Sequence, residues 1–319
     1  MDKKVFVKDI TEDQAMVSDY FVVAKKGTYT TKTNTKYMSL SLKDKSGNIE
    51  AKVWDRVEEL NGLFDKNDIV HIKARPRLYQ EKIQLNITDI QRVDEGMPFE
   101  LIRQFFPASE TNSDVLKEEY FKIIGELKNP AIGRLFSVLN EKKEMLEKFF
   151  FYPASIGVHH IYVGGLLEHS LSMARMARHV VTVVGGDPDI VLAGCLLHDI
   201  GKTEEIDVMK GFKYTDRGRL LGHITLGVTI LEDLLREVKD FPAHLMDVLS
   251  HIIVSHHGVE EWGSPKKPMF IEALVVHYLD NLDAKVMGVK EHMKDNMEDE
   301  RWSDYHRLYE SKFYKIPEE

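Results

Sequence analysis

Side chains that bind divalent metals recur in the second half of this chain. His198 and Asp199 stand next to each other just after an apolar run, and the chain contains 14 histidines in all. His169, His198 and His256 each continue the apolar stripe of a predicted helix, so their imidazoles are expected to face inward. Imidazole and carboxylate together suit Mn, Fe, Mg or Zn. The spacing therefore predicts a metal site whose members come from several helices.

Each inward histidine also has a simpler interpretation, because a single one is more often a hydrogen-bonded core residue than a ligand. An inward carboxylate without a partner is costly to bury. Four helices that each deliver an inward histidine, with Asp199 and Asp280 among them, favour a shared cage around cations. The only cysteine, Cys195, excludes an internal disulfide and a thiolate-rich zinc site.

Asp199 is the natural bridge in such a cage. Two ions about 3.5–4 Å apart that share one carboxylate can also share a hydroxide and clamp a phosphoryl oxygen. A helix that begins at Asp187-Pro188 and ends at Gly201 would point its negative dipole end toward the cations. Lys202 follows this helix, either as a catalytic contact to a phosphate or leaving group, or as an ordinary helix-terminal lysine.

The elements that position these residues fall into a β part and a helical part. Within residues 1–95, apolar residues alternate with period two along 38–42 and 49–53, on either side of a turn. An earlier strand covers about 20–29, and two further strands flank a turn near Gln80-Glu81. Five short strands predict a small barrel such as an OB-fold. Residues 96–150 read as a helical connecting segment, and residues 151–319 read as a helical bundle.

Composition limits the classes of function. The chain has 319 residues, enough for two domains. It opens without a secretory signal, and its longest uncharged stretch contains glycines and a proline, so we expect a cytoplasmic protein with no membrane span. Residues 1–95 hold 17 Lys and Arg against 16 Asp and Glu, and the remainder holds 26 against 36. An acidic second part can still hold phosphates if metal ions supply the positive charge.

Five motifs carry a resemblance to a known superfamily: "GGLLEHS", "LLHDIGK", "LLGHI", "SHHG" and "YLDNLDAK". Together they resemble the HD superfamily of metal-dependent phosphohydrolases, whose pattern is H…HD…H…H…D on a helical bundle. The fold class is therefore predicted as multi-domain α+β, with an N-terminal small β-barrel (OB-fold) followed by an all-α HD-domain bundle. The metal ligands implied are His169, His198, Asp199, His223, His256 and Asp280.

The order of the two domains and the stretches "HHIYVGGLLEHS" and "SHHGVEEWGSPKKP" resemble the bacterial YhaM-type 3′→5′ exoribonuclease family over nearly the whole chain. The resemblance implies hydrolysis of single-stranded RNA from its 3′ end, with single-stranded DNA as a further substrate, by two Mn, Fe or Mg ions. Whether the chain forms a homo-oligomer is left open. The alternatives are an HD phosphohydrolase that acts on a small or cyclic nucleotide beside a regulatory barrel, and a non-catalytic RNA-binding protein.

Helix geometry decides between two candidate metal ligands that lie close together in sequence, and it does so at two places. Successive helical residues point about 100° apart, so His256, which continues the apolar stripe, is predicted as the ligand. His257 is then a catalytic residue that supports the ligands or touches substrate. Asp283 rivals Asp280 but lies on a different face.

Contacts to nucleic acid are predicted in both parts of the chain. The hairpin face opposite the core carries two aromatic residues for base stacking, with basic residues around them. Histidines before the first motif and lysines in the loop after "SHHG" would line the active-site rim. The competing interpretations are a Trp54 packed under the connecting helices, and solvated loop residues. The predicted contacts are Tyr37, Lys43, Lys52, Trp54, Arg75, Arg77, His159, His160, Lys266 and Lys267.

Overall fold

The computed structural model describes four stretches of the chain, residues 3–93, 99–156, 160–208 and 212–317. The chain divides into two compact units. Unit 1 comprises residues 1–108 together with 206–214, and unit 2 comprises residues 109–205 and 215–319. The predicted divisions after residues 95 and 150 thus differ from the observed units, because the chain leaves unit 1 and later returns to it.

The returning segment is held to unit 1 by apolar burial. Two short strands, β6 (Ile206–Asp207) and β7 (Lys213–Tyr214), pair in it. The ring of Phe212 stacks on that of Phe106 at a centroid distance of 3.8 Å. The ammonium of Lys213 lies 2.5 Å from the Asp68 carboxylate. Strands of two residues carry no periodicity, so the sequence pattern did not predict this hairpin.

Unit 1 is built on a closed five-stranded barrel with the order β1-β2-β3-β5-β4. The β3–β5 pair is parallel and the other pairs are antiparallel. This arrangement is that of an OB-fold, so the predicted barrel is confirmed. The elements are β1 (Val17–Thr30), β2 (Lys36–Asp44), β3 (Gly47–Val53), α1 (Val57–Asn61), β4 (Ile69–Tyr79), β5 (Lys82–Arg92) and α2 (Phe99–Ile102).

Local chemistry fixes the barrel's turns and its closure. The Asp44 carboxylate accepts a hydrogen bond from the Ser46 backbone N–H at 2.8 Å and closes the β2–β3 turn. Gln80 and Glu81 both adopt left-handed dihedrals between β4 and β5, as a two-residue hairpin loop requires. A register shift in β1 after Val23 bends that strand. β1 can therefore pair with β4 in its first half and with β2 in its second half.

Unit 2 is a helical bundle. Asn129 accepts hydrogen bonds from the backbone N–H groups of Ala131 and Ile132, so a helix begins at Pro130. Inside the described stretches, no helix combines the length and the apolarity needed to cross a bilayer. The longer helices are α3 (Ser113–Gly125), α4 (Pro130–Glu141), α5 (Lys143–Phe151), α6 (Gly165–Val184), α7 (Pro188–Leu197), α9 (Asp216–Arg236), α10 (Ala243–Ser255) and α11 (Ile271–Asp295), with a single turn α8 (Lys202–Glu205) before α9.

Helix α7 ends at Leu197, not at Gly201 as the sequence predicted. Gly201 does not have the left-handed dihedrals of a helix-capping glycine. A Cβ atom at this position would lie 1.9 Å from the carbonyl oxygen of His223. Glycine is therefore needed here because α9 approaches the backbone closely, and this approach brings His223 beside the end of α7.

Candidate metal centre

The centre begins where α7 ends. The Asp187 side chain accepts hydrogen bonds from the first backbone N–H groups of α7, so the helix starts at Pro188. His198 follows the last turn, and its Nδ1 lies 3.0 Å from the carbonyl oxygen of Cys195. This bond requires the proton to sit on Nδ1. The lone pair of Nε2 is then directed toward the carboxylate of Asp199, 3.2 Å away.

A first set of ligand atoms comes from α6, the end of α7, and α11. His169, His198 and Asp280 offer atoms that lie within 4.8 Å of one another. His169 Nε2 is 3.2 Å from His198 Nε2 and 3.2 Å from an Asp280 oxygen. Ligands about 2.1 Å from a cation lie roughly 3.0–3.4 Å from each other. The spacing therefore matches a set of ligands around one ion.

A second set comes from α9 and the end of α10. His223, His256 and His257 also offer atoms within 4.8 Å of one another. α10 ends at Ser255, so His256 caps the helix and His257 lies in the turn that follows. His256 still has right-handed helical dihedrals, φ −63° and ψ −31°, so the rotation of about 100° between helical neighbours applies to this pair. Ring nitrogens of the two histidines nevertheless lie within 4.8 Å of each other, and the choice of His256 as the ligand stays a prediction.

Asp199 joins the two sets. One of its carboxylate oxygens lies 3.5 Å from His223 Nε2 and 3.6 Å from His256 Nε2, and the other faces His198. Among the described residues, this Oδ1 and both Nε2 atoms are buried without a hydrogen-bond partner. Each unpaired buried polar atom costs about 1–3 kcal/mol. Divalent cations would satisfy all three atoms, so the residues present fit a metal centre.

The carboxylates of the centre are kept ionised. Burial alone would raise the pKa of Asp199, but the Lys202 ammonium, 2.5 Å away, and His198 hold it well below its ordinary value. Burial would likewise raise the pKa of Asp280, but its hydrogen bond to His169 and the neighbouring imidazoles lower it. Both groups are therefore charged at neutral pH, as cation ligands must be.

The imidazoles differ in their readiness to lose a proton. Burial and the proximity of His257 hold the pKa of His256 well below its usual value. Burial and His223 also lower the pKa of His257. Burial acts in the same direction on His169, but its hydrogen bonds to Asp280 and Asp283 outweigh it and raise the pKa to about 9. Without metal, the positive charge of the first set therefore resides on His169.

Asp283 lies on the opposite side of the His169 ring from Asp280, and His160, His169 and Asp283 also offer atoms within 4.8 Å of one another. Its carboxylate accepts from His169 Nδ1 at 2.7 Å, His160 Nε2 at 2.9 Å and the Ser172 hydroxyl at 2.5 Å. The bond to Nδ1 fixes the tautomer of His169 so that Nε2 faces the first set. The spacing of three residues between the two aspartates allowed either assignment, and only the folded helix α11 separates them.

Glu205 performs the corresponding task for His223, and sequence reasoning missed it. Its carboxylate accepts a hydrogen bond from the His223 backbone N–H at 2.9 Å and lies 3.3 Å from His223 Nδ1. Glu205 is buried, whereas its neighbour Glu204 pairs with Arg217. No signal in "KTEE" distinguishes these two acids, because the difference arises only when α9 packs against α8.

Lys202 is buried beside the centre. Only 8% of it is exposed, and its ammonium bonds to Asp199. Lys202 begins α8, and its ammonium pairs with the carboxylate that lies between the two ligand sets. A contact of Lys202 with a substrate phosphate stays a prediction.

The residues predicted to line the active-site rim differ in where the structure places them. His160 is only 1% exposed and bonds to Asp283 and to the Tyr162 hydroxyl, so the structure does not support its assignment as a nucleic-acid contact on the rim. It is an interior residue that supports the first set. His159 lies outside the described residues. Lys266 and Lys267 are exposed in the loop between α10 and α11, and their role stays a prediction.

The outer face of the barrel carries a row of stacked aromatic rings. The Tyr37 ring lies 5.0 Å from that of Trp54 at 26°, and 5.7 Å from that of Tyr29 at 30°. Trp54 is 44% exposed, so it does not pack in an interior. The Lys52 ammonium lies 5.2 Å from the Tyr37 ring centroid. Aromatic faces beside a cation are the features that bind single-stranded nucleic acid.

The other basic residues predicted on the barrel divide into two groups. Lys52 and Arg75 both pair with Asn86, one on each side of β5, so they lie in one row across the outer face. Arg77 is exposed two residues farther along β4. The Lys43 ammonium lies 5.3 Å from the Phe106 ring, and burial lowers its pKa. Lys43 is therefore a poorer phosphate contact than the prediction assumed.

Two family models match the chain. Residues 166–285 match the HD domain, which spans every member of both ligand sets. Residues 21–93 match an OB-fold nucleic acid binding domain, which corresponds to the barrel. The combination of a helical metal-dependent hydrolase domain with such a barrel agrees with the predicted fold class.

Relatives with this domain combination are similar over most of the chain. The 3′-5′ exoribonuclease YhaM of Bacillus subtilis (strain 168) is 36% identical over 270 residues, which are 84% of this chain and 85% of that protein. The protein of the same name from Geobacillus sp. (strain WCH70) is 33% identical over 93% of this chain and 91% of its own. Among solved structures, the second OB-fold domain of replication protein A from Methanococcus maripaludis is 18% identical, covering 31% of this chain and 100% of that domain with a TM-score of 0.24.

Proposed function

This chain belongs to the YhaM family of 3′-5′ exoribonucleases, and we propose on this premise that it removes nucleotides stepwise from the 3′ end of single-stranded RNA. The observation that carries the proposal is the meeting of two ligand sets at Asp199, where three buried polar atoms have no partner among the described residues. A site of this composition suits phosphodiester hydrolysis, since the charge of a phosphate needs cations in an otherwise acidic chain.

We assign one cation to His169, His198 and Asp280, and a second to His223, His256 and His257, with Asp199 shared by both. When bound, such a pair supplies Lewis-acid activation of water and offsets the charge that develops on the phosphoryl group. Three imidazoles in one set favour Mn²⁺ or Fe²⁺ over Mg²⁺, because Mg²⁺ prefers oxygen ligands.

The chain's own residues hold the ligands in a fixed orientation. His198 and His256 each place Nδ1 against a backbone carbonyl of their own helix, at 3.0 and 2.7 Å. Asp283 and Glu205 orient His169 and His223 in the same way. Lys202 holds Asp199 ionised and adds a positive charge for the substrate phosphate. Hydrolysis thus needs little reorganisation of the protein, because the site is oriented in advance.

The barrel's role in this proposal is to hold single-stranded RNA. Tyr29, Tyr37 and Trp54 offer successive ring faces, and Lys52 and Arg75 offer positive charge on the same outer surface. Stacking of this kind tolerates every base, so we propose RNA binding without a preferred sequence.

Digestion of an RNA labelled at its 5′ end, with Mn²⁺ present, tests the proposal. We expect a ladder of products that shorten from the 3′ end, and the same ladder more slowly or not at all on the matched DNA. His256→Ala should abolish it. His244→Ala is the matched control, because His244 is an exposed histidine on the same helix. Internal fragments, or hydrolysis of mononucleotides and cyclic nucleotides alone, would overturn the assignment.

A further inference from the structure

An exposed tryptophan lies on the loop that follows the second ligand set. Trp262 is 51% exposed and ends a short 3-10 turn, Glu260–Trp262, between α10 and α11. Single exposed apolar side chains are common on protein surfaces, so the exposure of this ring gains meaning only from what lies around it. Neither ligand set uses this side chain, and the barrel's aromatic row belongs to the other unit.

The loop is fastened directly to the metal centre. The carbonyl oxygen of Trp262 lies 2.5 Å from Nδ1 of His257. The backbone N–H of His257 donates to the Ser264 hydroxyl at 3.1 Å, and Ser264 is only 1% exposed. These bonds use the backbone of Trp262 and leave its ring free of them. The backbone of Trp262 is therefore held next to the second ligand set by contacts that do not involve the indole.

The loop is also held tightly against α11. Gly258 has a left-handed φ of 78°, and a Cβ at this position would lie 2.2 Å from the ring of His277. His277 in turn bonds through Nδ1 to the carbonyl oxygen of His256. The loop therefore cannot shift without disturbing the ligands, and a ligand held by Trp262 would be placed accurately with respect to the cations.

Charges around the ring define what it can bind. The Lys285 ammonium lies 5.7 Å from the Trp262 ring centroid, and Lys266 and Lys267 follow the turn in sequence. Glu260 and Glu261 precede Trp262 in the same turn and are exposed. An aromatic face next to cations matches a nucleoside with its phosphate, because the base stacks on the ring and the phosphate pairs with the ammonium.

We infer that Trp262 is a base-stacking subsite of the catalytic unit, and that it holds one of the two nucleosides joined by the scissile bond. This inference rests on the proposed exoribonuclease function. It gives the HD domain its own contact with the substrate base, separate from the barrel. Removal of the Trp262 ring should therefore lower kcat/KM only on a substrate that carries a base at that position.

A chemical double-mutant cycle tests the subsite in the full-length protein. Trp262→Ala, Trp262→Phe and wild type are compared on short RNAs that are intact or lack the base at the last or the last-but-one nucleotide. Trp302→Ala is the control, since Trp302 is 45% exposed but lies in the C-terminal segment. We expect Trp262→Ala to lower kcat/KM roughly 5- to 150-fold on intact RNA and to change little on one of the abasic substrates. Trp262→Phe should retain most of the activity.

The outcomes separate this inference from the proposed function. One outcome is that wild type shortens intact RNA from the 3′ end while Trp262→Ala loses kcat/KM by the same factor on the intact and both abasic substrates. In that case the assignment of Trp262 as a stacking subsite is wrong, and the proposed exoribonuclease function is still supported. If wild type does not shorten RNA from that end, the proposed function itself fails. An equal loss of kcat/KM in Trp302→Ala would also contradict the assignment of Trp262 as the stacking subsite.

Binding without turnover supplies a second test. The chain has three tryptophans, so Trp54→Phe with Trp302→Phe leaves Trp262 as the only indole. With Mn²⁺ present, addition of a short RNA whose terminal phosphodiester is replaced by a non-cleavable linkage should quench its fluorescence, and the same RNA without the critical base should quench it much less. Equal quenching by both RNAs would overturn the assignment.

Discussion

Asp283→Asn should weaken one of two cation sites and leave the other intact. The Asp283 carboxylate accepts hydrogen bonds from His160, His169 and Ser172, and it lies among buried groups. An amide of the same size has a single acceptor oxygen and no charge. His169 would lose the partner that holds its proton on Nδ1, and its Nε2 would no longer be directed at the first ligand set.

The expected magnitude follows from these contacts. A hydrogen bond to a charged group contributes about 1.5–3 kcal/mol, against about 1 kcal/mol for a neutral pair. The loss of the charge on the His169 contact therefore costs about 0.5–2 kcal/mol, and loosening of the other two contacts adds to it. Replacement of such supporting groups typically costs 10- to 100-fold in metal affinity. We predict a loss in this range for the first site.

The assay is a calorimetric titration of metal-stripped protein with Mn²⁺, which resolves two binding steps. Glu205→Gln is the counterpart, because Glu205 supports His223 in the second set. Asp283→Asn should weaken one step and Glu205→Gln the other. The combined variant should show both losses, since the two sets share only Asp199.

Asp189→Asn is the matched control. Asp189 is a buried carboxylate that accepts from the backbone N–H groups of Lys128 and Asn129, away from both sets. It should lower the melting temperature without changing either binding step. Unchanged Mn²⁺ affinity in Asp283→Asn, or equal weakening of both binding steps, would refute the proposal that Asp283 orients His169 and so supports the first ligand set only.

Three further predictions follow from the geometry. Gly201→Ala should destabilise the protein by about 3 kcal/mol or more in denaturant unfolding, because its Cβ would meet backbone atoms of α9. Gly133→Ala, in open space on α4, should stabilise it by roughly 0.5–1 kcal/mol. Similar changes in stability for the two variants would contradict the close packing of α9 at Gly201. In the metal-free protein the pKa of His169 is raised to about 9, so its contribution to stability is complete below its unfolded pKa of about 6.5 and is lost as pH rises through 9. Mn²⁺ must displace that proton, so apparent affinity should rise from pH 7 to 9, and a flat calorimetric profile would be inconsistent. Trp54→Ala should weaken RNA binding by about 1–3 kcal/mol in a filter assay without altering Mn²⁺ affinity, and unchanged RNA binding would remove the barrel's proposed role.

Much of the framework could be predicted because its signals are local. The alternation along β2 and β3 and the turns at Asp44 and Gln80 depend on neighbours a few residues away, and the barrel follows from them. Inward histidines were visible because His169 and His256 interrupt apolar stripes. The sequence therefore indicated the histidines that come together, but it did not indicate Glu205 or the place of His257 in the second set.

The parts that could not be predicted depend on tertiary approach. Gly201 has the sequence signal of a helix end, but its glycine serves the packing of α9. The sequence did not predict that a ring nitrogen of His257 lies within 4.8 Å of ring nitrogens of His223 and His256. The return of residues 206–214 to unit 1 depends on the burial of Phe212 against Phe106, a pairing of residues more than 100 positions apart.

The count of metal ions bound by wild type and by Asp199→Ala, measured by plasma mass spectrometry alongside circular dichroism, tests the centre most directly. A carboxylate that serves both ligand sets predicts two Mn²⁺ or Fe²⁺ per chain in wild type. The variant should lose both ions and all exonuclease activity while its helical spectrum is retained. A variant that keeps two ions, or that digests RNA at the wild-type rate, would contradict the shared role of Asp199.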